Sequence, residues 1–221
     1  MKTLIAVPCF DKIDTDFAKS FIDLQKPPGT SYTFVKNTLI YDARNIIAEN
    51  AIAAGFDRVL WLDSDMTFPP DLLVKLSALM DEERHMVSGL YFTRRFPNIR
   101  PVLFSKMTRE KMPDGTINSE AEFWYDYPEG IVECAAVGFG CCMTSTTLLK
   151  CVTETYGAPF TPFSSMGEDM AFCLRVRELG EKIYCDTRIK CGHIGAVEIT
   201  ENTFKAVDGA TLHPIAPPAG V

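Results

Sequence analysis

Two aspartates two residues apart close the run Val59-Leu60-Trp61-Leu62-Asp63-Ser64-Asp65. The apolar part has the make-up of a buried strand, and the acids follow at its carboxyl end. Carboxylates that close repel each other unless positive charge sits between them. Hard oxygen ligands favour Mg2+ or Mn2+, and an ion held there would keep open positions for a phosphate-bearing ligand. The competing reading makes Asp63 and Asp65 turn formers ahead of a helix that opens near Pro69-Pro70.

Three further groupings carry the same chemistry. In Gly167-Glu168-Asp169 the acids fall in the first turn of an expected helix. They either complement its macrodipole, or one of them faces a cleft as a general base. His193 lies between Gly192 and Ile194-Gly195 after a short strand. A neutral imidazole there is a further ligand for a divalent ion already held by carboxylates, or a structural histidine. Arg44, in Tyr41-Asp42-Ala43-Arg44-Asn45, stands at a helix start, which suits an anion; alternatively Asp42 simply caps a solvated helix.

The elements that must position these groups alternate. Strands are expected at Thr3–Cys9, Ser31–Lys36, Arg58–Leu62 and Met86–Tyr91. Helices with three- and four-residue apolar spacing are expected at Phe17–Leu24, Tyr41–Ala54 and Pro70–Asp81. That order predicts an α/β fold with a mostly parallel sheet and helices on both faces, where ligands bind beyond the carboxyl ends of the strands. Residues 94–133 break the pattern with prolines and glycines and read as short strands and loops. A strand at Ile131–Val137, helices at Ser145–Glu154 and Gly167–Leu179, and short strands at Lys182–Cys185 and Ile189–Cys191 follow. The expected organisation is one domain over 1–202, with a ligand-binding half (1–93) and a second half (94–202). Residues 203–221 are expected to be a loop-like tail.

Composition narrows the class. The chain has 221 residues, 47% of them apolar and 23% charged, with a net charge of −7. This balance fits a globular protein and disfavours non-specific coating of nucleic acid or anionic membrane. No apolar run approaches the ~20 residues of a membrane span. The apolar start is short and is followed at once by Asp11, Asp14 and Asp16, unlike a signal peptide, so a cytoplasmic location is expected. Eight cysteines form no CxxC pair and are expected to be free thiols, most of them buried.

Taken together, these residues resemble a GT-A-type glycosyltransferase of the family-2 group. The likeness rests on Val7-Pro8-Cys9-Phe10 after the first strand, Ala43-Arg44-Asn45, Asp63-Ser64-Asp65, Gly138-Phe139-Gly140, Gly167-Glu168-Asp169 with Phe172-Cys173, and the late His193. It covers roughly residues 1–195. The resemblance implies a GT-A fold, Rossmann-like, and a nucleotide-sugar donor, a UDP-sugar rather than a GDP-sugar. It also implies Mn2+ or Mg2+ as cofactor. Pro8 would border the base and ribose, and Arg44 would lie near the nucleotide or diphosphate. Asp63 would contact ribose or metal-bound water, Asp65 would ligate the metal directly, and His193 would join it. Asp169, ahead of Glu168, would deprotonate the acceptor, with inversion at the sugar. The chain lacks the Gln-x-x-Arg-Trp motif of processive synthases, so transfer of a single sugar is expected. Compact chains of this kind resemble those of bacteriophages, which would place the protein in a host cytoplasm.

The acceptor has a weaker signature. Residues 94–111 carry Arg94, Arg95, Arg100, Lys106, Arg109 and Lys111 against Glu110, with Phe92, Phe96 and Phe104 close by. One reading is a grip on a nucleic-acid backbone, which would present a flipped 5-hydroxymethylated pyrimidine of DNA to the donor. The other gives Arg94 and Arg95 to the donor diphosphate and leaves a saccharide or protein hydroxyl as acceptor. A non-catalytic nucleotide- or sugar-binding protein on the same scaffold is the alternative from a different class.

Overall fold

The computed structural model describes residues 1–94, 98–163, 165–195 and 198–209. The first half of the chain supplies β1 (Thr3–Pro8), α1 (Thr15–Asp23), β2 (Thr30–Val35), α2 (Ile40–Ala53), β3 (Arg58–Leu62), β4 (Met66–Thr67), α3 (Leu72–Leu79) and β5 (Met86–Leu90). Then come β6 (Leu103–Lys111), β7 (Ile117–Phe123), β8 (Ile131–Cys134), β9 (Ala136–Val137), β10 (Cys141–Ser145), α4 (Thr146–Tyr156) and α5 (Glu168–Glu178). The chain continues with β11 (Ile183–Lys190), β12 (Gly192–Ile194), β13 (Glu198–Ile199) and α6 (Glu201–Gly209).

Seven strands form the central sheet in the order β2-β1-β3-β10-β5-β11-β8. β1 runs parallel to β2 and β3, and β5 parallel to β11. β10 runs antiparallel between β3 and β5, and β8 antiparallel at the edge beside β11. The sheet is therefore mostly parallel. Every residue of β1, β3 and β5 is buried, as a sheet covered on both faces requires.

Alternation along these strands divides the core in two. Leu4, Ala6, Val59 and Trp61 pack with Ile47 and Ala51 of α2, Leu149 of α4 and Phe172 of α5. Ile5, Val7, Leu60 and Leu62 point the other way, toward Phe17 of α1 and Leu72 and Leu76 of α3. Side-chain caps fix where two helices begin: Asp14 accepts from the Asp16 amide at 2.9 Å, and Ser145 from the Leu148 amide at 3.0 Å.

Several elements differ from expectation. The run 131–137 is two strands: β8 pairs with β11, while β9 pairs with β6. They part at Ala135, whose amide is held by the Phe104 carbonyl at 2.8 Å. Residues 141–145 form a central strand. Residues 183–190 are one strand whose register shifts between Asp186 and Lys190, instead of two short ones. The 94–133 region contains a long β6–β7 hairpin. The expected loop from residue 203 is instead part of α6, where Phe204 stacks on Phe92 with centroids 4.6 Å apart; residues 210–221 lie outside the described residues. No helix among the described residues is long and apolar enough to cross a membrane.

Candidate functional site

β3 ends at Leu62, and the chain then turns through Asp63-Ser64-Asp65 into β4. The turn is fixed by backbone bonds from the Asp63 amide to the Gly140 carbonyl and from the Met66 amide to the Asp63 carbonyl, both 3.2 Å. β4 pairs antiparallel with β12, setting Met66 opposite His193. The Ile194 amide donates to the Asp65 carbonyl at 2.7 Å. The backbone thus stitches the two ends of the candidate metal pair together.

The His193 Nδ1 lies 2.9 Å from the Phe92 carbonyl oxygen. A carbonyl only accepts, so Nδ1 carries a proton and Nε2 is the ring nitrogen left to face the site. That nitrogen faces the Asp65 Oδ2 at 3.6 Å. Ligand bonds of roughly 2.0–2.2 Å would span such a gap, so the pair could hold a divalent cation between them. A carboxylate and an imidazole are donor types that Mn2+ or Mg2+ would accept. Asp63 does not complete a three-ligand cluster: no group of three His, Cys, Asp or Glu with metal-holding geometry is present among the described residues. Of the expected set, Asp65 and His193 face each other, while Asp63 is directed at Arg44. Arg94 also reaches this point, donating to the Asp65 Oδ2 and, at 3.2 Å, to the Ile194 carbonyl. Burial would raise the pKa of Asp65, but His193 and Arg94 outweigh it and hold the carboxyl below its usual range.

The structure places Arg44 away from the cavity wall. Its side chain is 3% exposed, and its two terminal nitrogens go to the Asp63 Oδ1 at 2.7 Å and the Glu168 Oε1 at 2.5 Å. Its guanidinium lies 5.2 Å from the centroid of Phe139. Burial works against its charge, yet Asp63, Glu168 and Asp169 more than compensate and raise its pKa. Arg44 is a buried clamp between the turn after β3 and the start of α5, and it does not line the cavity in which a diphosphate contact was expected. Its neighbour Asn45 accepts from the Phe160 amide at 2.8 Å and anchors the loop that leads toward α5.

This clamp separates the two acids at the start of α5. Glu168 is committed to Arg44, whereas Asp169 lines the cavity. Burial raises the pKa of Asp169; Arg44 opposes the shift, and the charges of Glu168 and Asp63 add to it. A carboxylate with a raised pKa is a better base than an ordinary aspartate.

The cavity holds about 890 Å³ and opens at the carboxyl ends of β1, β3 and β5. One side is formed by Pro8-Cys9-Phe10 and Thr38-Leu39-Ile40, loops joined by the Asn37 amide donating to the Phe10 carbonyl at 2.7 Å. Asp63, Asp65, Arg94 and His193 line it as well. Arg95 lies outside the described residues. Sequence reasoning missed Tyr91, Asn98 and Phe123, which also line the cavity, and Arg100 of the basic segment lines it with them. Tyr91 had a usable signal, since it follows β5 as Asp63 follows β3. Burial, reinforced by the charges of Asp63 and Asp169, holds its hydroxyl protonated far above the ordinary tyrosine range.

The basic segment is neutralised in part. β6 pairs with the acidic β7, and Lys106 bonds Glu120 at 3.0 Å. Arg100 and Arg109 lie over the rings of Phe123 and Phe163. Of the cysteines, six are buried, Cys9 is partly buried and Cys151 is exposed; all eight are free.

No family model matches the sequence, and no curated protein sequence does. Solved structures do match. A197 from STIV superposes with a TM-score of 0.62 at 17% identity, over 88% of this chain and 86% of that one. GalNAc-T7, solved with UDP, GalNAc and Mn2+, superposes with a TM-score of 0.58 at 11% identity, over 88% of this chain and 44% of that one. At these identities the likeness speaks for architecture alone, and the architecture is GT-A-like: a mostly parallel sheet flanked by helices, with additional antiparallel sheets.

Proposed function

We propose that the protein is a metal-dependent glycosyltransferase that moves one sugar from a nucleotide-sugar to an acceptor hydroxyl. The observation that carries this reading is one cavity shared by the facing Asp65–His193 pair and by Asp169, a carboxylate freed from Arg44 by Glu168. Its volume suits a ligand of nucleotide-sugar size. The GalNAc-T7 structure, which contains UDP and Mn2+, supports a nucleotide-sugar and a metal in the corresponding fold.

Each residue then has a task. Pro8 and the loop after it border the nucleotide. Asp65 and His193 hold Mn2+ or Mg2+, which when bound supplies positive charge to the departing diphosphate. Arg94 and Arg100 add cationic charge beside the same phosphates. Asp63, held by Arg44, stands ready for a ribose hydroxyl or a metal-bound water. Asp169 takes the acceptor proton as the acceptor oxygen attacks the anomeric carbon, and the electron pair of the broken glycosidic bond leaves with the diphosphate. Direct attack of this kind inverts the anomeric centre.

For the acceptor, a saccharide or protein hydroxyl is the reading we favour. A grip on DNA needs free cations along residues 94–111, and the β6–β7 pairing neutralises part of them. The test is release of nucleoside diphosphate from UDP- and GDP-sugars with Mn2+, run with saccharide, peptide, plain DNA and 5-hydroxymethylated DNA. Turnover that needs the metal supports the proposal. Tight nucleotide binding without turnover under any condition would replace it with a non-catalytic binding protein, and label on hydroxymethylated DNA alone would restore the nucleic-acid acceptor.

A further inference from the structure

Gly138 and Gly140 flank Phe139 just before β10, and both lie against Tyr91. A Cβ on Gly138 would stand 1.9 Å from the Tyr91 hydroxyl oxygen and 2.8 Å from a Val102 methyl; one on Gly140 would stand 3.0 Å from the same tyrosine ring. Neither glycine has a positive φ. The demand is therefore for space: Tyr91 takes it beside Gly138, and shares it with the Met66 sulfur, also at 3.0 Å, beside Gly140.

The tyrosine is held firmly in this seat. The Gly140 amide donates to its hydroxyl oxygen at 3.2 Å. Its ring meets the His193 ring edge-on, centroids 5.6 Å apart and planes at 79°. Only 5% of the residue is exposed, and it lines the same cavity as Asp63, Asp169 and His193. A phenol has one proton to donate, and its oxygen is already occupied as an acceptor. Among the described residues no hydrogen bond takes that proton. A buried donor without an acceptor is destabilising, unless a ligand supplies the acceptor.

We propose that Tyr91 reads the transferred sugar, its hydroxyl donating a hydrogen bond to one ring hydroxyl of the hexosyl unit. This rests on the glycosyl-transfer reading above. The electrostatics select the sugar over the rest of the donor. With Asp63 and Asp169 both acting on the hydroxyl, this corner of the cavity is negative, so it repels phosphate and accepts a neutral, hydroxyl-rich group. It also adjoins His193 on the metal side, so a group running from the diphosphate toward Asp169 passes it. A site built to bond a substrate hydroxyl rejects the analogue that lacks it.

The experiment compares the parent nucleotide-sugar with its single-position deoxy analogues, in the unsubstituted protein and in Tyr91→Phe, by kcat/KM. Calorimetric binding of UDP alone is measured alongside. In the unsubstituted protein one deoxy position is expected to lose roughly tenfold or more. Tyr91→Phe is expected to lose a similar factor on the parent sugar, to show no further loss with that analogue, and to keep its UDP affinity. An unchanged deoxy preference in Tyr91→Phe overturns the inference while leaving glycosyl transfer intact. A parallel loss of UDP affinity also overturns it, because it marks a structural role. Absence of turnover in the unsubstituted protein overturns the transfer reading and this inference with it.

Discussion

Arg44 and Glu168, 124 residues apart in sequence, form an ion pair at 2.5 Å beneath the candidate site. The pair ties the start of α2 to the start of α5 and fixes the direction in which α5 presents its next residue, Asp169. Glu168→Gln leaves part of the Arg44 charge without its partner in a buried setting. It is expected to cost about 1–3 kcal/mol, or roughly 3–10 °C in Tm, while much of the turnover survives. Thermal unfolding and kcat measured together check this.

Asp169→Asn should do the reverse. The side chain keeps its shape but cannot take a proton, so kcat is expected to fall roughly 10²–10⁴-fold with little change in nucleotide affinity. Turnover unchanged in Asp169→Asn would falsify its assignment as the base.

The pH response of Asp169 has a definite sign. Burial, the largest influence, raises its pKa, so the acid limb of kcat/KM should lie above the ordinary aspartate value of about 3.9. For stability, a folded-state pKa above the unfolded one means that the contribution is full below the ordinary value and is lost as pH rises through the raised one. Asp169→Asn is therefore expected to melt higher than the unsubstituted protein at pH 7, with the gap closing toward pH 4. Melting curves across that range decide it.

The metal pair predicts an asymmetry between the two aspartates. Asp65→Asn or His193→Ala should each weaken Mn2+ binding at least roughly tenfold in the presence of UDP. Asp63→Asn should weaken it less, because the Asp63 Oδ1 is directed at Arg44. Free Mn2+ followed by electron paramagnetic resonance gives the three affinities. Equal losses for Asp63 and Asp65 would return Asp63 to the ligand set.

Gly138→Ala tests the tyrosine seat without touching a charged group. Its Cβ would overlap the Tyr91 hydroxyl, and Val102 closes the other side. A cost of about 1–3 kcal/mol in denaturant unfolding is expected. Combining it with Tyr91→Phe should recover part of that loss, since the atom met at 1.9 Å is then gone.

Much of the fold is legible in the sequence because β1, β3, β5 and α2 carry unmixed signals: unbroken apolar runs, or regular helical spacing. β10 is not, because it follows β9 with no helix between them, and its place between β3 and β5 depends on reversing direction. The break at Ala135 is hidden inside one apolar run. In the site, Asp65, Asp169 and His193 are readable by residue type, but their meeting depends on the pairing of β4 with β12. Arg44 at a helix start looks like an anion contact until Glu168 arrives from α5 to claim it. Tyr91 looks like core, as an aromatic at a strand end normally does.

The β4–β12 pairing also sets an order of events during synthesis. Asp65 leaves the ribosome early, yet its imidazole partner belongs to a strand near the end of the described chain. Contacts this distant form late, because loop closure must precede them. A nascent chain truncated after β5 therefore carries the aspartates without the imidazole, and the Asp65–His193 pair comes together only once β12 is made.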